Sequence, residues 1–331
     1  MASRKTLLLK SSDVQAVLNI RDAITAVDEV FRAYGEGRVQ MPPKPYLDFG
    51  EGDLRCMPAY CEEVGLATVK NVNSHPNNRA LPTVMATVTV FEPETGFALA
   101  VMDGTYLTAM RTGAAGGVAA RHLARRDARV AGFVGAGRQA ETQLAALKEV
   151  LPGLEEALFC DADRDRADAL AERAASELGL KARACPLEEA VRGADVLTTT
   201  TPVREPLVRR EWVQPGTHVN AIGADAPGKQ ELECDVLLDG VVVVDNWEQA
   251  SHGGEINVAV GDGLMGREDI CADIGQIVAG KKEGRTSADD ITVFDSTGLA
   301  IQDLACAAHA YRQLTLRAES GPEVAAIDFM D

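Results

Sequence analysis

Short apolar segments alternate with amphipathic ones from residue 130 almost to residue 300, and this alternation constrains the fold more than any other feature. Strands are predicted at 130–135, 157–161, 181–184, 196–200, 218–223, 241–245 and 291–295, and helices at 138–150, 164–178 and 187–192. Strands that are separated by helices form a parallel sheet with right-handed crossovers. The pattern therefore predicts an α/β fold with a doubly wound parallel sheet over residues 127–298.

The residues before 127 show a different pattern. Four predicted strands follow one another without a helix between them, at 46–58, 66–72, 83–91 and 98–102. Strands connected in this way pair antiparallel, and the turn sequence at 93–96 joins the last two as a hairpin. Two helices are predicted beside this sheet, at 21–34 and 106–124.

A last helix is predicted from about residue 298 and has no strand partner in the parallel sheet. We therefore expect it to return to the first domain. That domain would be discontinuous, with residues 1–126 and 299–331, and would have an α+β architecture built on a mainly antiparallel sheet.

Composition excludes several classes of function. The chain has 331 residues and a formal net charge of −17, so its surface would repel nucleic acid and anionic membranes. No apolar run reaches the 18 or so residues of a membrane span, and the start of the chain lacks a signal-peptide pattern. The seven cysteines contain no C-x-x-C pair and the five histidines are scattered. We expect reduced thiols, no metal site and a cytoplasmic location.

A glycine-rich turn follows the first strand of the alternation and leads directly into a helix. Gly135 permits a tight turn, and Gly137 allows the backbone to approach a ligand closely. The amides of Arg138 and Gln139 lie at the predicted helix N-terminus, which favours phosphate oxygens. Together these residues predict a dinucleotide-binding Rossmann domain.

The end of the second strand of this domain carries Asp161. A carboxylate at this position accepts hydrogen bonds from the ribose hydroxyls and repels a 2′-phosphate, which favours NAD over NADP. Arg164 and Arg166 lie nearby and could accommodate that phosphate, so NADP stays open. Ligands bind beyond the carboxyl ends of parallel strands. There the sequence places small or polar residues that suit a nicotinamide-ribose pocket: Thr200, Thr201, Ala221, Gly223, Ser296 and Thr297.

Two cationic residues of the first domain are candidates for chemistry. Lys70 lies on an otherwise apolar predicted strand, where burial would lower the pKa of its ammonium toward neutrality, as an acid/base requires. The alternative is an edge lysine whose charged end reaches water. Arg55 has a planar fork that matches a carboxylate, although it could equally form a surface ion pair.

Several motifs resemble the ornithine cyclodeaminase/μ-crystallin superfamily, over residues from about 5 to 310. They are Met41–Lys44, Leu54–Pro58, Lys70–Pro76, Leu81–Val84, Arg111–Ala114, Gly223–Lys229 and Phe294–Gly298. The string His252–Val258 is similar to the archaeal-type alanine dehydrogenase branch. The resemblance implies a homodimer with an NAD(P)-binding Rossmann domain. It also implies a second domain for dimerisation and a substrate site in the cleft between the two domains.

The resemblance also implies roles for individual residues. Lys70 would be the proton donor and acceptor, and Asp225 would hold the amine or relay protons. The substrate carboxylate would be bound by Arg55, Lys44 and Arg111. Contacts to NAD would come from Arg111, Thr112, Lys229 and Ser296, in addition to the glycine-rich turn.

Arg55 separates the branches of this family. Cyclodeaminases carry a carboxylate at the matching position, and an arginine there would repel the δ-ammonium of ornithine by about 4 kcal/mol at 4 Å and an effective dielectric of about 20. We therefore expect NAD-dependent oxidative deamination of L-alanine to pyruvate and ammonia. Ornithine cyclodeamination and reduction of a ketimine or Δ1-pyrroline-2-carboxylate are the alternatives. A non-catalytic binding protein, as in the μ-crystallin branch, is a further one.

Overall fold

The structure is a computed structural model that describes residues 4–75, 77–318 and 324–330; Pro76, the last residue of the Lys70–Pro76 motif, lies outside them. The chain forms two compact units, which consist of Met1–Arg111 with Leu299–Asp331 and of Thr112–Gly298. The first boundary lies within a helix, Thr105–Leu123, and not after residue 126 as expected. The two halves of this one helix pack with different units, so its C-terminal end does not mark the boundary.

Helices and strands follow one another along the chain in three segments. The first contains β1 (Thr6–Leu9), α1 (Ser11–Gln15), α2 (Ile20–Gly35), β2 (Val39–Gln40), β3 (Tyr46–Asp48), β4 (Asp53–Cys61), β5 (Leu66–Ser74), β6 (Val84–Phe91), β7 (Ala98–Asp103) and α3 (Thr105–Leu123). The second contains β8 (Val130–Val134), α4 (Arg138–Val150), β9 (Glu156–Cys160), α5 (Arg164–Leu178), β10 (Lys181–Ala184), α6 (Leu187–Arg192), β11 (Val196–Thr199), β12 (His218–Ala221), α7 (Cys234–Leu238), β13 (Val241–Val244), α8 (Trp247–Gly253), α9 (Asn257–Gly261), β14 (Ile270–Asp273), α10 (Ile274–Val278) and β15 (Thr292–Asp295). The third contains α11 (Ala300–Ala318) and β16 (Ala326–Ile327).

The first unit is built on one sheet with the strand order β16-β1-β7-β6-β5-β4-β2, and β3 also pairs with β4. All of these pairs are antiparallel except β1 with β7. The predicted mainly antiparallel sheet is confirmed. Its strands alternate between a buried and a more exposed face, as sheets covered on one side do.

The single strand predicted at 46–58 is wrong, because the structure has a hairpin of β3 and β4 there. Gly50 adopts a φ of 81°, which favours glycine, and its N–H donates to Asp48 Oδ1 at 2.7 Å. The N–H of Phe49 donates to the carbonyl of Gly52 at 2.8 Å and closes the turn. The hairpin places Tyr46 directly opposite Arg55.

Helix α11 covers the buried face of this sheet, where it packs on β4, β5 and β6 and beside α2. Alternate residues of β5 are buried on that face: Leu66, Thr68, Lys70 and Val72. The two-residue period of the strand therefore directs the side chain of Lys70 into the core of the unit.

The second unit contains an eight-stranded sheet with the order β10-β9-β8-β11-β12-β15-β13-β14, in which every pair is parallel. The predicted doubly wound α/β sheet is confirmed, and α4, α5 and α6 have the predicted bounds. The chain winds outward in opposite directions from β8 and β11, so the carboxyl ends of these two strands form a switch point where ligands bind. Strand β14 was not predicted.

Within the described residues, no helix is both long enough and apolar enough to span a membrane.

Candidate active site and dinucleotide site

Lys70 belongs to a buried ion cluster in the first unit, the Lys70 cluster, which consists of Lys70, Asp303, Arg111 and Gln302. The Nζ of Lys70 lies 2.7 Å from Asp303 Oδ2, and both side chains are almost completely buried, with exposures of 1% and 0%. The other oxygen of Asp303 accepts a hydrogen bond from Arg111 Nε at 3.2 Å. Arg111 Nη1 donates to Gln302 Oε1 at 2.8 Å. One carboxylate is thus shared by two cations.

The protonation of Lys70 follows from this arrangement. The pKa of Lys70 is lowered to about 7, chiefly by burial; Asp303 opposes this shift, and the positive charges of Arg111 and Lys44 contribute to it. Desolvation dominates because a buried ammonium loses its hydration. Lys70 therefore exchanges between ammonium and amine near neutral pH and can both give and take a proton.

Arg55 lies on the same face of the sheet as Lys70. In the β4–β5 register, Met57 is opposite Lys70 and Arg55 is opposite Val72, so the Cβ atoms of Arg55 and Lys70 are diagonal neighbours about 7–8 Å apart. The Arg55 guanidinium donates to Asp53 Oδ2 from Nη2 at 2.8 Å and from Nε at 3.2 Å. It lies 5.5 Å from the ring centroid of Tyr46. These contacts hold its fork in place while 14% of the side chain stays exposed.

The structure therefore brings together four residues that the sequence predicted for substrate chemistry: Lys44, Arg55, Lys70 and Arg111. Sequence reasoning missed Asp303 and Gln302, which supply the counterion and the amide of the cluster. Their signal is a pair of polar residues within an otherwise apolar stretch of α11, where a helix packed on a sheet normally carries apolar side chains.

In the second unit, the glycine-rich turn has the properties that a dinucleotide requires. Gly135 adopts a φ of 97°, and a Cβ at this position would lie 2.7 Å from Thr200 Oγ1. Gly137 caps the N-terminus of α4, and a Cβ there would meet no atom within 4 Å. The open backbone at Gly137 and the amides of Arg138 and Gln139 leave room for a pyrophosphate.

Asp161 holds this turn by its carboxylate. Its Oδ2 accepts the N–H of Ala136 at 2.7 Å, and its Oδ1 accepts the N–H of Asp163 at 2.8 Å. The two arginines that could bind a 2′-phosphate are paired with acids: Arg164 with Asp168 at 3.0 Å, and Arg166 with Asp163 at 3.2 Å. This charge balance favours NAD over NADP.

The other predicted cofactor residues lie at strand ends or on α3. Ser296 Oγ is buried and accepts or donates no hydrogen bond among the described residues, whereas Thr297 Oγ1 donates to Asp245 at 3.0 Å. The carbonyl of Thr112 accepts from Gln143 at 2.9 Å. Ala221 packs in the apolar core, and its carbonyl accepts the N–H of Ser296 at 3.0 Å. Of these residues, Ser296 offers the group best suited to a ligand.

Two predicted site residues are paired with each other. Lys229 Nζ lies 2.6 Å from Asp225 Oδ1, and both side chains are partly exposed. Asp225, predicted as catalytic, belongs to the second unit, whereas Lys70 belongs to the first. Among the described residues, no group of three or more His, Cys, Asp or Glu side chains is arranged to hold a metal ion.

A family model described as "Ornithine cyclodeaminase/mu-crystallin family" matches residues 4–317. The chain belongs to this family. Its members in the comparisons have different activities, so membership alone does not select one.

Three relatives are similar over almost their whole length. An alanine dehydrogenase of Archaeoglobus fulgidus is 52% identical over 316 residues, which cover 93% of this chain and 94% of the relative. A solved archaeal alanine dehydrogenase dimer with bound NAD has a TM-score of 0.94 at 50% identity and covers 98% of this chain and 100% of its own. The Δ1-pyrroline-2-carboxylate reductase of Thermococcus litoralis, solved with NADH and L-proline, has a TM-score of 0.92 at 36% identity and covers 96% and 100%.

The first prediction concerns the pH dependence of stability. The folded pKa of Lys70 is lowered to about 7 from 10.5, so between these values the unfolded chain binds more protons than the folded one. Stability then rises with pH over this range. The free energy of unfolding of the wild type, minus that of Lys70→Met, should increase from pH 7 to pH 10 in urea titrations followed by circular dichroism. A difference that stays constant or falls with pH would show that folding does not lower the pKa of Lys70.

The second prediction concerns Gly137. Asp and Asn both cap helices well, so Gly137→Asp and Gly137→Asn should keep the stability within about 1 kcal/mol of the wild type. Both side chains would intrude on the site of the pyrophosphate. Only the aspartate is negatively charged like the pyrophosphate, and the repulsion between two such charges costs about 4 kcal/mol at 4 Å and an effective dielectric of about 20. We expect NADH affinity, measured by fluorescence titration, to fall about tenfold in the Asn variant and at least about 100-fold in the Asp variant. If the wild type and both variants bound NADH with equal affinity, the dinucleotide would not bind at Gly137.

Proposed function

We propose that this protein is an NAD-dependent oxidoreductase that converts L-alanine, NAD and water to pyruvate, ammonia and NADH. One observation carries the proposal: a buried lysine with a pKa near 7 shares a sheet face with a well-held arginine. A neutral amine beside a carboxylate-binding cation is what deprotonation of an amino acid requires. The 52% identity to an archaeal alanine dehydrogenase supports the same reaction.

The second unit would hold the cofactor. Its pyrophosphate would lie against Gly137 and the α4 amides of Arg138 and Gln139, and its adenosine ribose near Asp161. The nicotinamide end would lie by the strand ends that carry Thr200, Thr201, Ala221, Gly223, Ser296 and Thr297, with further contacts from Arg111, Thr112 and Lys229. When bound, NAD accepts the hydride from the substrate Cα.

The first unit would bind the substrate carboxylate. Arg55 presents a planar fork whose direction is set by Asp53 and Tyr46, so little side-chain entropy is lost when a carboxylate binds. Lys44 adds positive charge near the same place, since it acts on the pKa of Lys70. Arg111 contributes from the Lys70 cluster.

Lys70 would move the protons. As a neutral amine it takes a proton from the alanine ammonium, which is the proton that the net reaction releases to solvent. It then takes a proton from the water that adds to the imine carbon and returns it to the amino group, so that the C–N bond breaks and ammonia leaves. Asp303 stabilises the protonated form at 2.7 Å, and Arg111 limits that stabilisation by sharing the same carboxylate. Asp225 would assist by holding the substrate amine, for which it must release Lys229.

The same cations select against a second positive charge on the substrate. Ornithine carries a δ-ammonium. Lys44, Arg55, Lys70 and Arg111 concentrate positive charge, and in the contacts described above Asp53 balances Arg55 while Asp303 is shared by Lys70 and Arg111. Cyclodeamination of a diamino acid is therefore disfavoured. Reduction of Δ1-pyrroline-2-carboxylate uses a carboxylate and a proton donor of the same kind, and the reductase of Thermococcus litoralis has a similar fold. It is the second candidate.

We further propose that the protein acts as a homodimer. Large apolar side chains are exposed on the β3–β4 hairpin, before β6 and at its first residue: Tyr46, Leu47, Phe49, Leu81 and Val84. Apolar side chains that gather on one surface are typical of protein interfaces. A similar archaeal alanine dehydrogenase was solved as a dimer.

The third prediction tests the reaction. L-alanine with NAD should give a steady rise in absorbance at 340 nm, and kcat/KM should increase with pH through about 7 as Lys70 loses its proton. Lys70→Met should lower kcat at least about 100-fold, and Lys70→Arg serves as the matched control, because it keeps the charge but cannot act as a base.

Three results would contradict this assignment. Ornithine could yield proline and ammonia without net NADH, which would indicate cyclodeamination. Δ1-Pyrroline-2-carboxylate with NADH could turn over far faster than alanine or pyruvate, which would indicate the reductase. Full activity of Lys70→Met would refute the role of Lys70.

The fourth prediction separates substrate from cofactor binding. Arg55→Gln removes a charge-assisted hydrogen-bond pair, so the KM for alanine should rise about 30-fold or more. The KM for NAD should stay within about twofold, since Arg55 belongs to the unit that lacks the glycine-rich turn. The variant Arg55→Lys keeps the charge without the fork. Its KM for alanine should lie between the values of the wild type and of Arg55→Gln. An unchanged KM for alanine in Arg55→Gln would remove Arg55 from the substrate site.

A further inference from the structure

A buried glutamate, Glu231, accepts hydrogen bonds from residues at two strand ends of the second unit. Its Oε2 accepts the hydroxyl of Thr199 at 2.6 Å and the N–H of Gly223 at 2.8 Å. Its Oε1 accepts the N–H of Thr201 at 2.5 Å and the Thr201 hydroxyl at 2.7 Å. Glu231 has 0% exposure. One carboxylate thus joins the residues that follow β11 to those that follow β12.

A second set of hydrogen bonds, made by Glu255 and Asn257, fixes the backbone at and around Glu231. The backbone N–H groups of Glu231 and Leu232 both donate to Glu255 Oε1 at 2.7 Å. The amide of Asn257 accepts the N–H of Gly228 at 2.8 Å and donates to the carbonyl of Lys229 at 2.7 Å. Glu255 and Asn257 come from the string His252–Val258, for which the proposed reaction has no direct use. These four contacts go to the segment from Gly228 to Leu232, and Asn257 also donates to the carbonyl of Gly254 at 2.6 Å.

We propose that Glu231 is a positioning residue for the nicotinamide end of NAD, fixed in turn by Glu255 and Asn257. The inference rests on the proposed binding of NAD. Thr201 and Gly223 lie at the carboxyl ends of neighbouring parallel strands, where the nicotinamide ribose of a dinucleotide is bound. Glu231 sets the distance between these two ends and the path of the loop that carries Asp225 and Lys229.

The chemistry of the contacts shows what a substitution does. All four groups around the carboxylate are donors, or hydroxyls that act as donors. A glutamine has one oxygen and one NH2 group, so its NH2 would face the backbone N–H of either Thr201 or Gly223. Two donors cannot bond to each other. One strand end must then move, although the side chain keeps its size.

The experiment compares Glu231→Gln with the wild type and with Glu205→Gln. Glu205 is an exposed glutamate of the segment that connects β11 to β12, so its variant controls for the loss of one carboxylate. NADH affinity by fluorescence titration should fall about tenfold or more in Glu231→Gln and stay unchanged in Glu205→Gln. The KM for NAD should rise in parallel and by a larger factor than the KM for alanine, because among the proposed substrate contacts only Asp225 lies on the loop that Glu231 positions.

Thr199→Val covers the case in which Glu231→Gln does not fold. This variant keeps the shape of the side chain, removes one of the four hydrogen bonds and leaves the backbone donors in place. We expect NADH affinity to fall about threefold or more, with circular dichroism and thermal unfolding that show a folded protein.

The outcomes separate this inference from the proposed function. Wild-type protein that binds no NADH would refute the proposed function itself. Wild-type binding with unchanged NADH affinity in folded Glu231→Gln, or in Thr199→Val, would overturn the role of Glu231 alone. A lower melting temperature with unchanged NADH affinity would likewise make Glu231 a structural residue only. Selective loss of NADH affinity would support the inference.

Discussion

The ion pair between Lys70 and Asp303 is the interaction on which the first unit depends. An ammonium without solvent is stable only with a counterion, and the counterion here comes from α11, far along the chain from β5. The pair therefore requires the helix to pack on the sheet in one register. Burial lowers the pKa of Lys70, and because Arg111 draws on the same carboxylate, Asp303 offsets that shift only in part, so Lys70 can release its proton near neutral pH.

The second unit uses buried carboxylates differently. Glu231 and Glu255 accept hydrogen bonds from strand ends and loops, and Asp295 accepts the N–H of Ile256 at 3.1 Å. Burial raises the pKa of Asp295 to about 8. No cation is needed in these contacts, because backbone N–H groups and hydroxyls supply the compensating dipoles. In the first unit a carboxylate shifts the pKa of a buried lysine, whereas in the second unit carboxylates accept hydrogen bonds from the backbone and side chains of loops.

Patterns that depend on neighbours in the chain could be predicted from the sequence. The bounds of α4, α5 and α6 agree with the predicted ones because amphipathic periodicity and caps are local. Strand β14 was missed because its four residues include no long apolar run. The β3–β4 hairpin was missed although Gly50 and Gly52 are turn residues, because the predicted strand was continued through them.

The candidate site was predictable to the extent that its residues carry unusual local patterns. Lys70 on an apolar strand and the glycine-rich turn are such patterns. Asp303 and Glu231 are not, because their importance arises from contacts with residues 70 and 199 to 223. A carboxylate in an apolar helix shows that a partner must exist, but the partner's identity follows only from the packing.

The discontinuity of the first unit has a consequence for biosynthesis. Residues 1–111 leave the ribosome before the whole parallel-sheet unit and well before α11. During that interval the nascent antiparallel sheet has an uncovered apolar face, with Lys70 still hydrated and separated from Asp303. Domains that are contiguous in sequence can fold during translation, so the second unit can mature first. The Lys70 cluster can form only when translation has reached the final helix, which carries Asp303 and Gln302.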